Sequence, residues 1–260
     1  MNILLTNDDG ISCEGLLRLA DALRELKQHT IYVLAPDRER SGVSNCISFY
    51  DSIRIRDLGN NTWTCSGTPA DCALLGILGA LPVKPDLVVS GINAGANLGT
   101  DLVYSGTAAA ARQAALHGIP AIALSLVIHE GPVFWEPAVA YARDHLEELI
   151  AFWKEDTFVN VNFPNSPSYT APPVLSFPSR RRYQDSLTSF DAPDGYRYCF
   201  VKGSGVVVED ELDSDSDAVS RNRVSMSPVF IHPVVLRDIC SHAPEHSITS
   251  ARSAVVNGKR

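Results

Sequence analysis

The sequence predicts an α/β protein built on a mostly parallel β-sheet. The first observation is that apolar runs of strand length recur, at residues 3–5, 30–34, 86–90, 120–127 and 158–163. The second is that most of the intervals between them carry apolar residues at helical spacing. Strands that alternate with helices are typical of βαβ units, whose strands run parallel.

The size and composition of the chain fit this class. Its 260 residues are near the upper size for one hydrophobic core, so we expect one domain with an appendage. Hydrophobic residues make up 45% and charged residues 20%, as in ordinary globular proteins.

The first βαβ unit occupies residues 1–34. Ile3, Leu4 and Leu5 form a continuous apolar run, which predicts a strand buried on both faces. After Gly10, leucines at positions 16, 19, 23 and 26 predict a helix over about 13–27 with one face on the sheet. The second strand is predicted at 30–34, and the crossover should be right-handed.

The segment after the second strand has two interpretations. The loop PDRERSGVSN at 36–45 is rich in charge, Ser and Gly, as solvated surface loops are. Alternatively, it lies over the same sheet edge as Asp8 and Asp9, because it follows the neighbouring strand. Weak alternation over 46–66 predicts short antiparallel strands outside the main sheet.

A capped helix is predicted from Thr68 to about Leu81. Thr68 is a typical N-cap, Pro69 suits the first helical position, and Asp71 favours the positive end of the helix dipole.

A glycine-rich loop, GINAGANLGTDLVYSGT, follows the strand at 86–90 and runs into the helix former TAAAARQAALHG. Ser105, Gly106 and Thr107 therefore sit at a helix N-terminus, where free N–H groups and the dipole favour a phosphate. A capped helix after a flexible loop is the alternative.

The rest of the chain changes character at Pro164. Before it, a helix is predicted at about 134–154, with Trp135, Val139, Leu146, Leu149 and Phe152 as its buried stripe. After it, strands are predicted at 196–202 and 223–235. The acidic run at 209–217 is expected to be solvated, with cation binding as the alternative. The last 20 residues lack periodicity and are expected to fray or to pack on a partner.

Asp8 and Asp9 stand side by side directly after the first strand. Ligands bind at the carboxyl ends of strands in open α/β sheets, and adjacent carboxylates there are costly without a positive partner. Their oxygen atoms suit Mg²⁺, Mn²⁺ or Ca²⁺. The alternative is that one Asp caps the next helix while the other is solvated.

Charge and cysteine patterns exclude several function classes. The net charge of −8 argues against a large nucleic-acid partner, which would require a basic face. No apolar run is long enough to span a bilayer, and no signal peptide is recognisable. The six cysteines form no CxxC pair, so we expect reduced thiols and a cytoplasmic location.

Taken together, six motifs resemble the SurE family of metal-dependent nucleoside monophosphate phosphatases. They are LLTNDDG at 4–10, APDRERSGVSN at 35–45, SGTPADC at 66–72, VSGINAGANLGTDLVYSGTAAAA at 89–111, FVNVNFP at 158–164 and VSMSP at 224–228. The resemblance covers nearly the whole chain in the same order. It departs from the family late, where Arg221, Asn222 and Arg223 replace a usual Gly-Tyr pair.

The resemblance implies a Rossmann-like three-layer α/β core over 1–164. Residues 165–260 would be a β-rich extension of the same overall domain that exchanges between subunits of a homodimer or homotetramer. One Mg²⁺ or Mn²⁺ would be held by Asp8, Asp9, Ser41 and Asn93, with the two aspartates catalytic. The phosphate of a nucleoside 5′- or 3′-monophosphate would contact Asn97, Ser105, Gly106 and Thr107, and a metal-activated water would attack it.

Three rival classes fit less well. A haloacid-dehalogenase phosphatase needs DxD, but Gly10 follows Asp9. A dinucleotide oxidoreductase needs GxGxxG after the first strand, where TNDDGISCEG stands. A receiver-like signalling module that binds Mg²⁺ without turnover is the best non-enzyme alternative. It requires an Asp after the third core strand, where this chain has Gly91.

Overall fold

The computed structural model describes residues 1–128, 131–209 and 211–233. Eleven strands are described within those ranges: β1 (Asn2–Thr6), β2 (Thr30–Pro36), β3 (Ile55–Gly59), β4 (Thr62–Cys65), β5 (Leu87–Ala94), β6 (Ala121–Val127), β7 (Thr157–Pro164), β8 (Val174–Leu175), β9 (Arg181–Asp191), β10 (Arg197–Val208) and β11 (Ser225–Phe230). The helices are α1 (Glu14–Glu25), α2 (Pro69–Leu78), α3 (Gly106–Ala115), α4 (Trp135–Asp144), α5 (Leu146–Ala151) and α6 (Asp215–Ser220), with a 3-10 helix at Gly99–Val103.

Nine of the strands form one sheet in the order β3-β4-β2-β1-β5-β6-β7-β11-β8. The pairs from β4 to β7 are parallel, whereas β3 with β4 and β7 with β11 are antiparallel. The predicted mostly parallel α/β sheet is therefore confirmed.

Helices cover both faces of this sheet. Ile3 and Leu5 of β1 pack in a core cluster with α1, α4 and α5, whereas Leu4 packs in a second cluster with α2 and α3. This alternation explains why the first strand is apolar throughout: each of its side chains enters one of two dry layers. The arrangement is the expected three-layer sandwich.

The predicted cap of α2 is confirmed. The Thr68 hydroxyl accepts a hydrogen bond from the Asp71 N–H, and the Asp71 carboxylate accepts one from the Thr68 N–H. This reciprocal capping box satisfies two N–H groups that a helix start leaves without partners.

Two predictions are wrong: the sheet to which the strands within 46–66 belong, and the continuity of the helix over 134–154. The strands within 46–66 do form an antiparallel pair, but β4 also pairs with β2, so they extend the main sheet instead of lying outside it. The helix predicted over 134–154 is divided at His145, whose backbone leaves the helical region. The His145 ring stacks on Tyr141 and bonds to Glu148 at 3.0 Å, which holds this break.

The C-terminal part contains both a projecting hairpin and a piece of the core. Strands β9 and β10 pair only with each other, whereas β11 inserts into the main sheet between β7 and β8. β9 was not predicted, because its sequence RRYQDSLTSFD shows no one-sided apolar pattern and its residues are largely exposed. The strand predicted over 223–235 corresponds to β11, and the final 20 residues lie outside the described ranges.

The prediction that the whole acidic run 209–217 is solvated is wrong at Asp215. This side chain is fully buried at the start of α6. Its Oδ2 accepts the Gly99 N–H at 2.7 Å, and its Oδ1 accepts those of Ser179 and Ser216 at 2.9 and 2.8 Å. Asp215 thus ties the C-terminal part to the 3-10 helix.

No helix among the described residues has the length and apolar character needed to cross a bilayer.

Candidate active site

The carboxyl end of β1 and the loop after β5 meet at one edge of the sheet, because the two strands are parallel neighbours. A cavity of about 400 Å³ opens there. Six of the eight residues proposed for the site line it: Asp8, Asp9, Ser41, Asn93, Asn97 and Ser105. The loop after β2 also reaches this edge, since Glu39 and Gly42 line the same wall and the Arg40 N–H donates to the Asp8 carbonyl at 2.7 Å.

The turn that carries the two aspartates is fixed by Asn7. Its side chain donates to the Gly10 carbonyl at 2.9 Å and accepts the Gly10 N–H at 3.2 Å. Gly10 has φ +99°, and a Cβ there would lie 3.0 Å from the backbone of Arg38. Glycine is therefore required for the loops after β1 and β2 to approach so closely.

Asp8 is almost fully buried, and the Thr107 hydroxyl donates to its Oδ1. Burial, with a contribution from the Asp9 charge, raises the pKa of Asp8 to about 6, against the opposing effect of the Thr107 hydrogen bond. Burial also raises the pKa of Asp9. The Ala94 N–H donates to Asp9 Oδ2 at 2.9 Å, and the Cys13 thiol donates to the same atom at 3.4 Å.

The residues present fit a hard cation. Within the described ranges, no Lys, Arg or His forms an ion pair with either aspartate, so the charge of the pair has no compensating partner in the protein. Asn93 donates its amide N–H to the Gly95 carbonyl at 2.9 Å, which leaves its side-chain oxygen available. The described residues contain no group of three or more His, Cys, Asp or Glu side chains placed to hold a metal, so neutral oxygens would complete the shell.

The predicted phosphate contacts divide into two sets. Asn97 and Ser105 line the cavity, and Ser105 caps α3 by accepting the Ala108 N–H at 3.0 Å. Gly106 and Thr107 are not among the residues that line the cavity. The Thr107 hydroxyl is committed to Asp8, and a Cβ on Gly106 would lie 2.7 Å from that of Asp8. Their side of the turn therefore positions Asp8, and a phosphate contact through them stays a prediction.

Several residues that support the site were missed. Asn97 is held by Asn162, which accepts its N–H at 2.9 Å and donates to its carbonyl at 3.0 Å. Asn160 donates to the same carbonyl at 2.9 Å, and the Asn97 amide donates to Ser125 at 2.8 Å. The alternation of Asn with apolar residues in FVNVNF was a usable signal, since it places both asparagines on one face of a buried strand.

Fold and cavity together define a doubly wound α/β protein with an acidic, oxygen-lined site at the carboxyl edge of its parallel strands. The chain belongs to the SurE family, whose model, described as "Survival protein SurE", matches residues 3–184.

Full-length relatives support the same assignment. A protein of Citrifermentans bemidjiense named "5'-nucleotidase SurE" is 39% identical over 249 residues, covering 94% of this chain and 96% of the relative. One of Geotalea daltonii with the same name is 41% identical over 237 residues, covering 89% and 93%. The crystal structure of the SurE protein from Aquifex aeolicus superposes with a TM-score of 0.78 at 32% identity, covering 93% of this chain and 98% of that one.

Proposed function

We propose that this chain hydrolyses nucleoside 5′- and 3′-monophosphates with one Mg²⁺ or Mn²⁺ held by Asp8, Asp9, Ser41 and Asn93. The observation that carries the proposal is a carboxylate pair, with Asp8 buried and Asp9 half-buried, to which no described residue supplies a cationic partner. The pair lines a cavity that also includes Ser105, the cap of α3. The names of the relatives support a nucleotidase.

The protein's part in this reaction is mainly to position charge. A bound divalent cation would supply positive charge against a phosphoryl oxygen and activate the attacking water. Asp8 and Asp9 would hold that cation, and one of them would orient the water. The N-terminus of α3 would offer the positive end of its helix dipole to the phosphate, beside the side chains of Asn97 and Ser105 that line the cavity. Phosphoryl transfer needs little more than such positioning and neutralisation.

The receiver-like alternative has less support. Strand β5 runs through Ser90 and Gly91 and offers no aspartate to accept a phosphoryl group. The relatives carry an enzyme's name rather than that of a signalling protein.

Metal removal tests the proposal directly. We expect the purified protein to release phosphate from nucleoside monophosphates, to lose this activity in chelator, and to regain it with Mn²⁺ or Mg²⁺, because all-oxygen sites exchange their ions readily. Turnover is measured as the release of phosphate. The control is a sample that passes through the same buffer exchange without chelator. Full activity in thoroughly chelated protein would contradict the metal mechanism.

We also expect the chain to form a homodimer or homotetramer. Phe190, Tyr198 and Phe200 stack in a row on the hairpin formed by β9 and β10, and all three rings are exposed. A contiguous apolar surface of this kind is typical of an interface between proteins. Light scattering at micromolar concentration should therefore give a multiple of 28.2 kDa, and a monomer alone would refute the assembly.

A further inference from the structure

The wall of the cavity is not uniformly polar. Besides the carboxylate, amide and hydroxyl groups already described, it includes the rings of Tyr104 and Tyr183. We propose that these two rings, here called the aromatic corner, form the subsite for the nucleobase of the substrate. This inference rests on the proposed nucleotidase function and assigns a part of the cavity that the phosphate chemistry does not use.

The geometry of the corner suits a flat aromatic ligand. The ring centroids are 5.9 Å apart and the ring planes meet at 78°. A planar base that lies flat on one ring therefore meets the other ring at its edge, and both arrangements are favourable for aromatic groups. Ribose and phosphate have no aromatic face, so only the base can use both surfaces.

Tyr183 is held in place by its hydroxyl. It donates to Asp101, which also forms an ion pair with Arg181. Burial and the Asp101 hydrogen bond raise the pKa of Tyr183, so the hydroxyl keeps the proton that it donates. A ring fixed in advance loses little conformational entropy when a ligand stacks on it.

Tyr104 stays available for contact. The residue is 54% exposed, although it lies between the 3-10 helix and Ser105, the buried cap of α3. Packing in the core therefore does not explain why an aromatic ring stands at this position. It directly precedes Ser105. A phosphate at the N-terminus of α3 would therefore leave the rest of the monoester beside this ring.

The test compares adenosine 5′-monophosphate with ribose 5-phosphate, which has the same phosphate and sugar but no base. In Tyr104→Leu and Tyr183→Leu we expect the ratio of kcat/KM for the nucleotide to kcat/KM for the sugar phosphate to fall about 5- to 100-fold, as for other stacked bases. Tyr104→Phe keeps the ring and should keep most of that ratio. Tyr183→Phe keeps the ring but loses the Asp101 bond, so its loss should be smaller than that of the leucine variant. Tyr196→Leu, at an exposed position on the far end of the hairpin, is the matched control and should not change the ratio.

The outcomes separate this inference from the function on which it rests. Equal losses for both substrates, or an unchanged ratio in the leucine variants, would overturn the nucleobase subsite while hydrolysis stands. If the wild-type protein cleaves neither compound, the proposed function fails. Calorimetric titration with adenosine then tests the nucleobase subsite by itself. Binding that weakens in the leucine variants but not in Tyr196→Leu supports the subsite, and binding that is absent or unchanged overturns it.

Discussion

Asp9→Asn is expected to lower kcat/KM for nucleoside monophosphates by at least about 100-fold. Asp9 Oδ2 already accepts the Ala94 N–H, so the side-chain oxygen of an asparagine would take that place. The NH₂ group of the asparagine would then occupy the position of Asp9 Oδ1, the oxygen that we expect to face the cation. An NH₂ group is a hydrogen-bond donor and cannot coordinate a cation. Asp8→Asn should behave alike, because it removes one of the two negative charges that the pair offers to the cation.

Metal affinity and turnover should be measured on the same samples, by calorimetry and by phosphate release. Asp21→Asn, an exposed carboxylate on α1, is the control and should leave both unchanged. If the Asp8 and Asp9 variants bind metal and turn over like the wild type, the proposed ligands are wrong.

The same substitution at Asp8 should stabilise the protein when metal is absent. The pKa of Asp8 is about 6 in the folded state and near 3.8 when unfolded, so the folded state loses stability as pH rises through 6. At pH 8 in chelator, the Asp8→Asn variant should unfold at a higher urea concentration than the wild type. Its free energy of unfolding should be larger by up to roughly 3 kcal/mol. Below pH 4 the difference should vanish. A wild type that is the more stable of the two at pH 8 would contradict the effect of burial.

Asp215→Ala is the second change with a large expected effect. It removes the acceptor of the N–H groups of Gly99, Ser179 and Ser216 in a fully buried place. Buried donors without a partner are expensive, so the free energy of unfolding should fall by roughly 3–5 kcal/mol. Turnover should fall too, because Gly99 begins the 3-10 helix that carries Asp101 to the cavity.

Glu211→Ala provides the matched control for Asp215→Ala. Glu211 belongs to the same acidic run but is exposed, so its removal should change stability by less than about 0.5 kcal/mol. Urea unfolding and phosphate release measure both effects. Equal, small effects of the two substitutions would show that the buried hydrogen bonds of Asp215 do not hold the 3-10 helix.

Local patterns were sufficient for the parts of the fold that depend on neighbouring residues. The apolar run at Ile3, the cap at Thr68 and the helix start at Ser105 each follow from side chains a few positions apart, and the structure has all three. The meeting of Asp8 with the glycine-rich loop also follows, because parallel strands place their carboxyl ends together.

Contacts between distant residues were beyond such patterns. Tyr183 reaches the cavity only because β9 starts beside the 3-10 helix, and Asp215 is buried only because Gly99 and Ser179 point N–H groups at it. The residues next to Tyr183 and Asp215 in the sequence do not distinguish them from an exposed tyrosine or a solvated aspartate. The hydrogen bond from Thr107 to Asp8 was beyond such patterns for the same reason, since the two residues lie 99 positions apart in the sequence.

The position of β11 in the main sheet has a consequence for synthesis of the chain. β7 pairs with β6 on one side and with β11 on the other, and β11 is translated last of the three. While the ribosome adds the residues between Pro164 and Ser225, β7 presents an open edge of backbone N–H and C=O groups. Such an edge pairs readily with other emerging polypeptides. A nascent chain that already carries both aspartates and the glycine-rich loop therefore keeps this edge of β7 without its native partner until β11 has left the exit tunnel.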